Sequence, residues 1–284
     1  MPANAADVLV LGAGGRLGEV LARLLPGFGL SVRGVSRHHV DVRDHAALTA
    51  CIEATDPRVV VYAAAMADPD RCERDPSASH DVNVAGAVQV TEAAARIGCR
   101  VIYYSSDYVF GEPGRYFEDA PVSPLQVYGQ HKAEAEQLVL GRGDNVVIRL
   151  PLLFGNGRDT VSDLVRAVVQ RTPLARDDRR RYPIPLRHVV TVTAMIVSTG
   201  ARCGIYHAVG VDSVTKIEWA CYIAGLLGRP VSPATATGSP LAARPADVEL
   251  ASRRPEMCAP AGTLWEATRA RVVELSEPLR VSDL

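Results

Sequence analysis

The chain has 284 residues, 48% of them hydrophobic, with a formal net charge of −1. That length and apolar content fit a globular protein with one large core and a smaller lobe, and the near-neutral balance gives no general attraction to nucleic acid or anionic lipid. No apolar stretch approaches the roughly 20 residues of a membrane span, and Met1 to Ala6 lacks the basic and apolar regions of a signal peptide, so a cytoplasmic protein with no membrane association is expected.

Residues 7–11 form a short apolar run, followed at once by Gly12-Ala13-Gly14-Gly15-Arg16-Leu17-Gly18 and a helical pattern through Val20, Leu21, Leu24 and Leu25. Strand, glycine turn and helix make the context of a dinucleotide site. The glycines admit a pyrophosphate close to the backbone, and the helix N-terminus supplies N–H groups and a favourable dipole. Leu17 breaks the G-x-G-x-x-G fingerprint, whereas G-x-x-G-x-x-G fits at Gly12, Gly15 and Gly18; a tight turn with no ligand uses the same glycines. Residues 31–35 read as a second strand ending in Ser36-Arg37, where an NAD-preferring fold offers a carboxylate to the ribose. A hydroxyl and a guanidinium, with no carboxylate beside them, suit a 2′-phosphate, so NADPH is expected ahead of NADH. The other reading of Arg37 is a solvated side chain. Asp41-Val42 sits where a short third strand ends, at the adenine edge.

Further apolar, β-branched runs at 58–62, 100–105 and 146–149 alternate with helical stretches at 45–54, 81–97 and 128–140. The alternation predicts an α/β fold, a Rossmann-type doubly wound parallel sheet with right-handed crossovers. Beyond Arg149, Arg- and Pro-rich pieces (176–185 and 229–260) alternate with a helix at 189–201, a late strand at 204–207, and a helix that Thr215 caps with Glu218 in box spacing. The expected division is an NADP-binding domain over 1–150, with a segment near 186–228 returning to it. A smaller, discontinuous substrate lobe then takes 151–185 and 229–284. The six cysteines (Cys51, Cys72, Cys99, Cys203, Cys221, Cys258) lack C-x-x-C spacing and read as reduced, packed thiols. The seven histidines form no ligand cluster, so no metal is expected.

Tyr128 and Lys132 lie four apart and share one helical face. A tyrosine near its reference pKa of about 10 holds its proton too tightly to be poised at neutrality. A cation a few ångströms away lowers that pKa and makes the pair a usable acid or base. The same spacing also arises by chance on exposed helices. Upstream, Tyr103-Tyr104-Ser105-Ser106-Asp107-Tyr108-Val109-Phe110-Gly111 ends a strand in hydroxyls at the carboxyl edge of the sheet, where such folds bind ligands. Ser106 is placed there either to hold a carbonyl that Tyr128 protonates or to cap the turn.

Taken in order, the glycine turn, Asp41-Val42-Arg43-Asp44, the Ala63-Ala64-Ala65 run, the S-S-D-Y-V-F block and the Y-G-x-x-K motif give a recognisable pattern. The chain resembles the extended short-chain dehydrogenase/reductases and, within them, the dTDP-4-dehydrorhamnose reductase group. The resemblance runs on through Gly204-Ile205-Tyr206-His207 and Ala243-Arg244-Pro245-Ala246-Asp247-Val248-Glu249-Leu250. It implies that Gly15, Arg16 and Leu17 line the pyrophosphate and Asp41-Val42 the adenine. Ala63, Ala64 and Ala65 flank the nicotinamide half, with Met66 beside them, and Asn83 bends the central helix and anchors a water relay. Ser106, Tyr128 and Lys132 are then the catalytic trio, and Asp107 touches the sugar. Two departures bear on substrate. Tyr62 replaces the asparagine usual before the alanines, and Leu150-Pro151-Leu152 replaces a T-S-W run, so Leu152 stands for the sugar-contacting tryptophan. The stretch 149–155 and Arg180-Arg181-Tyr182-Pro183 look more like the regulatory β subunit of methionine adenosyltransferase, although His188 stands where an aspartate is usual.

These readings lead to an NADPH-dependent carbonyl reductase. Its expected substrate is a small-molecule ketone, first a nucleotide-linked 4-keto-6-deoxysugar and next another small ketone of a biosynthetic pathway. The alternative is a cofactor-bound regulatory subunit without turnover. A dehydratase would place an Asp-Glu pair after the hydroxyl residue, and here Tyr108 follows Asp107. Arg176, Arg179, Arg180 and Arg181 either grip a diphosphate or form a solvated loop, and a homodimer is compatible with the sequence.

Overall fold

The computed structural model describes residues 6–175, 177, 179–234 and 240–281. Six strands, β1 (Val8–Leu11), β2 (Val32–Val35), β3 (Val59–Tyr62), β4 (Arg100–Ser106), β5 (Val146–Leu150) and β6 (Gly204–His207), form one parallel sheet in the order β2-β1-β3-β4-β5-β6. The helices are α1 (Arg16–Leu24), α2 (His45–Thr55), α3 (Pro69–Arg74), α4 (Pro76–His80), α5 (Gly86–Arg96), α6 (Val127–Leu140), α7 (Thr160–Val169), α8 (Leu186–Thr199), α9 (Lys216–Leu227) and α10 (Thr263–Val281). Both faces of the sheet are covered, which is why the strands read as unbroken Val, Leu and Ile runs rather than alternating ones. Val8, Val10, Val59, Val61 and Ile148 meet α1 and α8 on one face. Leu9, Leu11, Val60, Val101 and Val147 meet α2, α5 and α6 on the other. The winding direction reverses between β1 and β3, so a crevice opens at the carboxyl ends of those strands.

Three expectations are corrected. No strand forms at Asp41-Val42, which lie in a turn leading to Asp44, the residue whose carboxylate caps α2 through Ala47 N at 3.0 Å. The helix expected over 81–97 is two pieces, a wider π-turn at Asp81–Ala85 and α5, and α4 runs into it from upstream. The hydroxyls of Tyr62 and Tyr103 donate to the Val82 and Asn83 carbonyls of that turn, at 2.6 and 3.1 Å. Gly86 makes room for Tyr62, since a Cβ there would lie 2.5 Å from its hydroxyl oxygen.

The third correction concerns the returning segment. α8 and β6 do rejoin the sheet, but α9 buries Trp219, Ala220 and Ile223 against α7 (Leu164, Val168) and α10 (Leu264, Val272). α9 therefore belongs to the lobe's core, not the sheet's. Thr215 caps it with Glu218 in the reciprocal arrangement its spacing predicts. Among the described residues no helix is long and apolar enough to cross a membrane, and no group of three or more His, Cys, Asp or Glu could hold a metal ion.

Candidate active site

The crevice is built from the glycine turn upward. Gly12 has φ +90°, and a Cβ there would fall 2.6 Å from Ala64 N, so only glycine lets β1 and the alanine run approach this closely. A Cβ at Gly18 would lie 2.2 Å from the Gly12 carbonyl oxygen, which seats α1 against the turn. Gly18 lines neither cavity of the crevice. Gly15, Arg16 and Leu17 line the main cavity, of about 360 Å³, together with Ala63, Ala64 and Ala65. Gly12, Ser36, Arg37, Asp41, Val42 and Met66 line a second one beside it, which the alanines share. Asn83 is fully buried: its Oδ1 accepts from Met66 N at 3.0 Å, and its Nδ2 donates to Met66 O and Ser79 Oγ, both at 3.1 Å. Each polar atom of the Asn83 side chain thus has a partner, and the amide fixes the loop that carries Met66.

The ribose end also differs from expectation. A carboxylate is present after all, supplied from downstream: Asp41 Oδ2 lies 3.2 Å from Arg37 Nε and 2.6 Å from Arg43 Nη2. The hydrogen bonds from Arg43 hold the Asp41 carboxyl well below its ordinary range. Two guanidiniums against one carboxylate leave this rim with a net positive charge.

At the other end, Ser106, Asp107, Tyr128 and Lys132 line the main cavity. Ser106 closes β4, and its hydroxyl donates to Asp107 Oδ1 at 2.9 Å while accepting from Tyr108 N at 3.2 Å. α6 brings in the other two residues. Gln126 caps it by accepting from Gly129 N at 2.6 Å, and a Cβ at Gly129 would strike the Tyr108 carbonyl oxygen at 2.1 Å. Lys132 is buried and donates to the Tyr104 carbonyl at 2.9 Å, with its ammonium 5.8 Å from the centre of the Tyr128 ring.

Burial pulls the Lys132 ammonium down to about 7, against an opposing push from Glu136. Burial, and next the Asp107 carboxylate, push the Tyr128 phenol well above its ordinary value, with the Ser106 hydroxyl opposing them. The expectation that Lys132 holds the phenol down is not met in this arrangement, because the lysine is itself desolvated and only partly charged near neutrality. Asp107 is raised by burial too, against the nearby Arg181. Replacing Asp107 by Asn removes one upward push on Tyr128, so the basic limb of a pH–turnover profile should move to lower pH. An unmoved limb would show that Asp107 does not set the phenol's ionisation.

Sequence reasoning missed three residues here. Ser105 lines the main cavity, and its buried Oγ has no hydrogen-bond partner among the described residues. Arg244 lines the same cavity from a segment more than 100 residues away in sequence. Lys216 lines an adjoining cavity of about 300 Å³ with Leu152, Arg179, Arg181 and Trp219. Of the four arginines expected at a diphosphate, Arg181 lines both this cavity and the main one. Arg179 is engaged by Asp177 through two bonds of 2.6 and 2.5 Å, and Arg180 points to Ser213 and Glu218. Arg176 lies outside the described residues. Leu152 lines both cavities where the wall between them runs.

Comparison with known proteins identifies the family. Residues 6–276 match the RmlD substrate binding domain family. A dTDP-4-dehydrorhamnose reductase of Streptomyces griseus is 33% identical, over 84% of this chain and 82% of that protein. The methionine adenosyltransferase 2 subunit beta of Xenopus tropicalis is 29% identical, over 79% of this chain and 73% of that protein. In fold, the crystal structure of dTDP-4-dehydrorhamnose reductase from Bacillus anthracis in complex with NADP superposes with a TM-score of 0.79, at 23% identity over 86% of this chain and 88% of that one. The chain belongs to the RmlD substrate binding domain family, within the extended short-chain dehydrogenase/reductases.

Proposed function

We propose that this protein is an NADPH-dependent carbonyl reductase acting on a ketone of a nucleotide-linked sugar. The observation that carries the reading is the convergence of Ser106, Tyr128 and Lys132 on a cavity whose opposite wall is the glycine turn and the alanine run. The residues present fit a dinucleotide: the turn has no room for side chains at Gly12, and Ser105 offers an unpartnered hydroxyl beside the alanines. Ala63, Ala64 and Ala65 would hold a nicotinamide, which would supply the hydride. Ser106 holds the carbonyl oxygen after releasing its bond to Asp107, and Tyr128 gives that oxygen its proton. Lys132 takes a ribose hydroxyl. Donors fixed in a closed, desolvated site stabilise the developing alkoxide with little reorganisation. The adjoining cavity supports the substrate class, since Arg181 and Lys216 bring two cations to it, as a diphosphate requires. The S. griseus relative is a reductase of a dTDP-linked keto sugar by name.

Leu150-Pro151-Leu152 and the similarity to methionine adenosyltransferase 2 subunit beta favour a second reading, a cofactor-bound regulatory subunit. Oxidation of NADPH, followed with a panel of keto-sugar nucleotides and simpler ketones, separates the two. Turnover that needs the nucleotide-linked ketone is the expected result. Tight NADPH binding with no turnover on any ketone, together with a changed methionine adenosyltransferase activity on mixing, would establish the second reading instead.

Cofactor choice has its own test. Arg37 is 71% exposed and shares Asp41 with Arg43, so its contact with a 2′-phosphate is screened and partly duplicated. Arg37→Ala should weaken NADPH by up to about tenfold, roughly 1.4 kcal/mol, while sparing NADH. Equal losses for both cofactors, titrated at one salt concentration, would place Arg37 away from the phosphate.

A further inference from the structure

The Ala243-to-Leu250 stretch stands out in the sequence, yet the proton-transfer trio leaves it without a task. In the structure Val248–Leu250 pairs with Gly114–Tyr116, which fixes one end of the stretch. The other end crosses to α3 on the far side of the main cavity. There Asp70 Oδ1 accepts from Ala242 N at 2.9 Å and lies 3.1 Å from Arg244 Nη2. The Arg244 side chain is only 15% exposed and lines the cavity. Arg181 comes to the same cavity from the lobe and is tied to this stretch, its Nη1 donating to the Pro245 carbonyl at 3.2 Å.

We propose that Arg181 and Arg244 together receive the anionic linker of the substrate, a diphosphate, and that Asp70 is a built-in counter-ion with which that diphosphate competes for Arg244. The proposal rests on the nucleotide-linked reading above and adds to it the residues that hold the phosphates and the one that opposes them.

Three observations support it. Arg181 lines both the main cavity and the adjoining one, and Arg244 lines the main one, so a ligand reaching from the adjoining cavity toward Tyr128 passes Arg181 and enters the space that Arg244 lines. A guanidinium carries five N–H donors in a planar fork. Arg244 has two identified bonds, to Asp70 and to the Ala242 carbonyl at 3.4 Å, which leaves donors for a ligand. Asp70 has a carboxyl held below its ordinary value, first by the Ala242 N–H and then by Arg244 against the cost of burial, so it stays ionised and repels an incoming phosphate.

The counter-ion role makes a prediction that a merely structural role does not. If the Asp70–Arg244 pair only holds the segment in place, damaging either side weakens ligand binding. If Asp70 competes with the ligand, the two substitutions act in opposite directions. Asp70→Asn keeps an oxygen that can accept from Ala242 N and Arg244 but removes the charge. Thymidine diphosphate binding to the NADPH-loaded protein, measured by calorimetry, should therefore tighten severalfold in Asp70→Asn. It should weaken about ten- to a hundred-fold in Arg244→Ala, the range for a lost charge-assisted contact.

NADPH affinity should be unchanged in both variants, which also reports that they fold, and Arg244→Lys should recover part of the loss. Weaker binding in both variants, or wild-type affinity in Arg244→Ala, would overturn the proposal while leaving the reductase reading intact. A wild-type protein that binds NADPH and reduces plain ketones but takes up no thymidine or uridine diphosphate would overturn both the proposal and the nucleotide-linked reading.

Discussion

Tyr128→Phe should reduce turnover by roughly 10²–10⁴ while leaving NADPH affinity near wild type. The ring is buried beside Met66 and Cys72 and meets Tyr108 edge-on at 6.1 Å, so phenylalanine keeps the packing and loses only the hydroxyl. What disappears is the hydroxyl that, in the proposed complex, gives its proton to the carbonyl oxygen at Ser106. Lys132→Ala should behave differently. It removes a buried ammonium that donates to the Tyr104 carbonyl and, in the proposed complex, to the ribose, so both cofactor affinity and turnover should fall. Steady-state rates with the best ketone of the panel, alongside cofactor titration by fluorescence, measure both. Turnover retained in Tyr128→Phe would remove the phenol from the chemistry, and a loss of NADPH binding in that variant would make its role architectural.

The parts of this site that are local in sequence are legible there. The glycine turn is one such part: strand, turn and helix are contiguous, and a Cβ at Gly12 or Gly18 would collide with neighbours at most about 50 residues away. The four-residue spacing of Tyr128 and Lys132 likewise puts both on the buried face of α6. Long-range electrostatics are not legible. Nothing near Arg244 points to Asp70, 174 residues upstream, and although Asp41 is only four residues from Arg37, the turn that folds it back is not written in that spacing. The ionisation of Tyr128 depends on burial and on Asp107, neither of which the Tyr-x-x-x-Lys spacing contains. The misplacement of α9 has a different cause. A capping box and an apolar stripe make the same helix whichever core receives it, and only the three-dimensional partners, Leu164 and Leu264, assign Trp219 to the lobe. Asn83 shows a third limit: its residue type suits ligand binding, but the π-turn buries it and commits its amide to Met66 and Ser79.

Arg149→Met should be the most destabilising single change in the nucleotide-binding half, at about 3–5 kcal/mol. Arg149 on β5 and Glu136 on α6 are both buried, and the guanidinium takes the two carboxylate oxygens separately, Nε to Oε1 at 2.9 Å and Nη2 to Oε2 at 2.7 Å. The guanidinium also lies 5.0 Å from the Phe110 ring centre and 3.3 Å from His207 Nε2. Removing it strands a carboxylate with no water to take its place, a cost far above that of an exposed pair. The pair fastens α6 to the sheet one turn beyond Lys132, so the loss should reach function as well. With α6 less firmly held, Tyr128 and Lys132 lose their register against Ser106, and turnover should fall even at temperatures where the protein stays folded. The double variant Glu136→Leu with Arg149→Met separates charge from shape. Buried ion pairs replaced whole by apolar side chains of similar volume are often neutral or stabilising, so urea denaturation should show most of the stability restored. If turnover returns with it, the pair serves only to fasten α6. If stability returns and turnover does not, the Glu136 charge itself acts on Lys132, as expected from the upward push it exerts on the lysine's ionisation. A single Arg149→Met variant as stable as wild type would show that Glu136 finds another partner or takes up a proton at little cost.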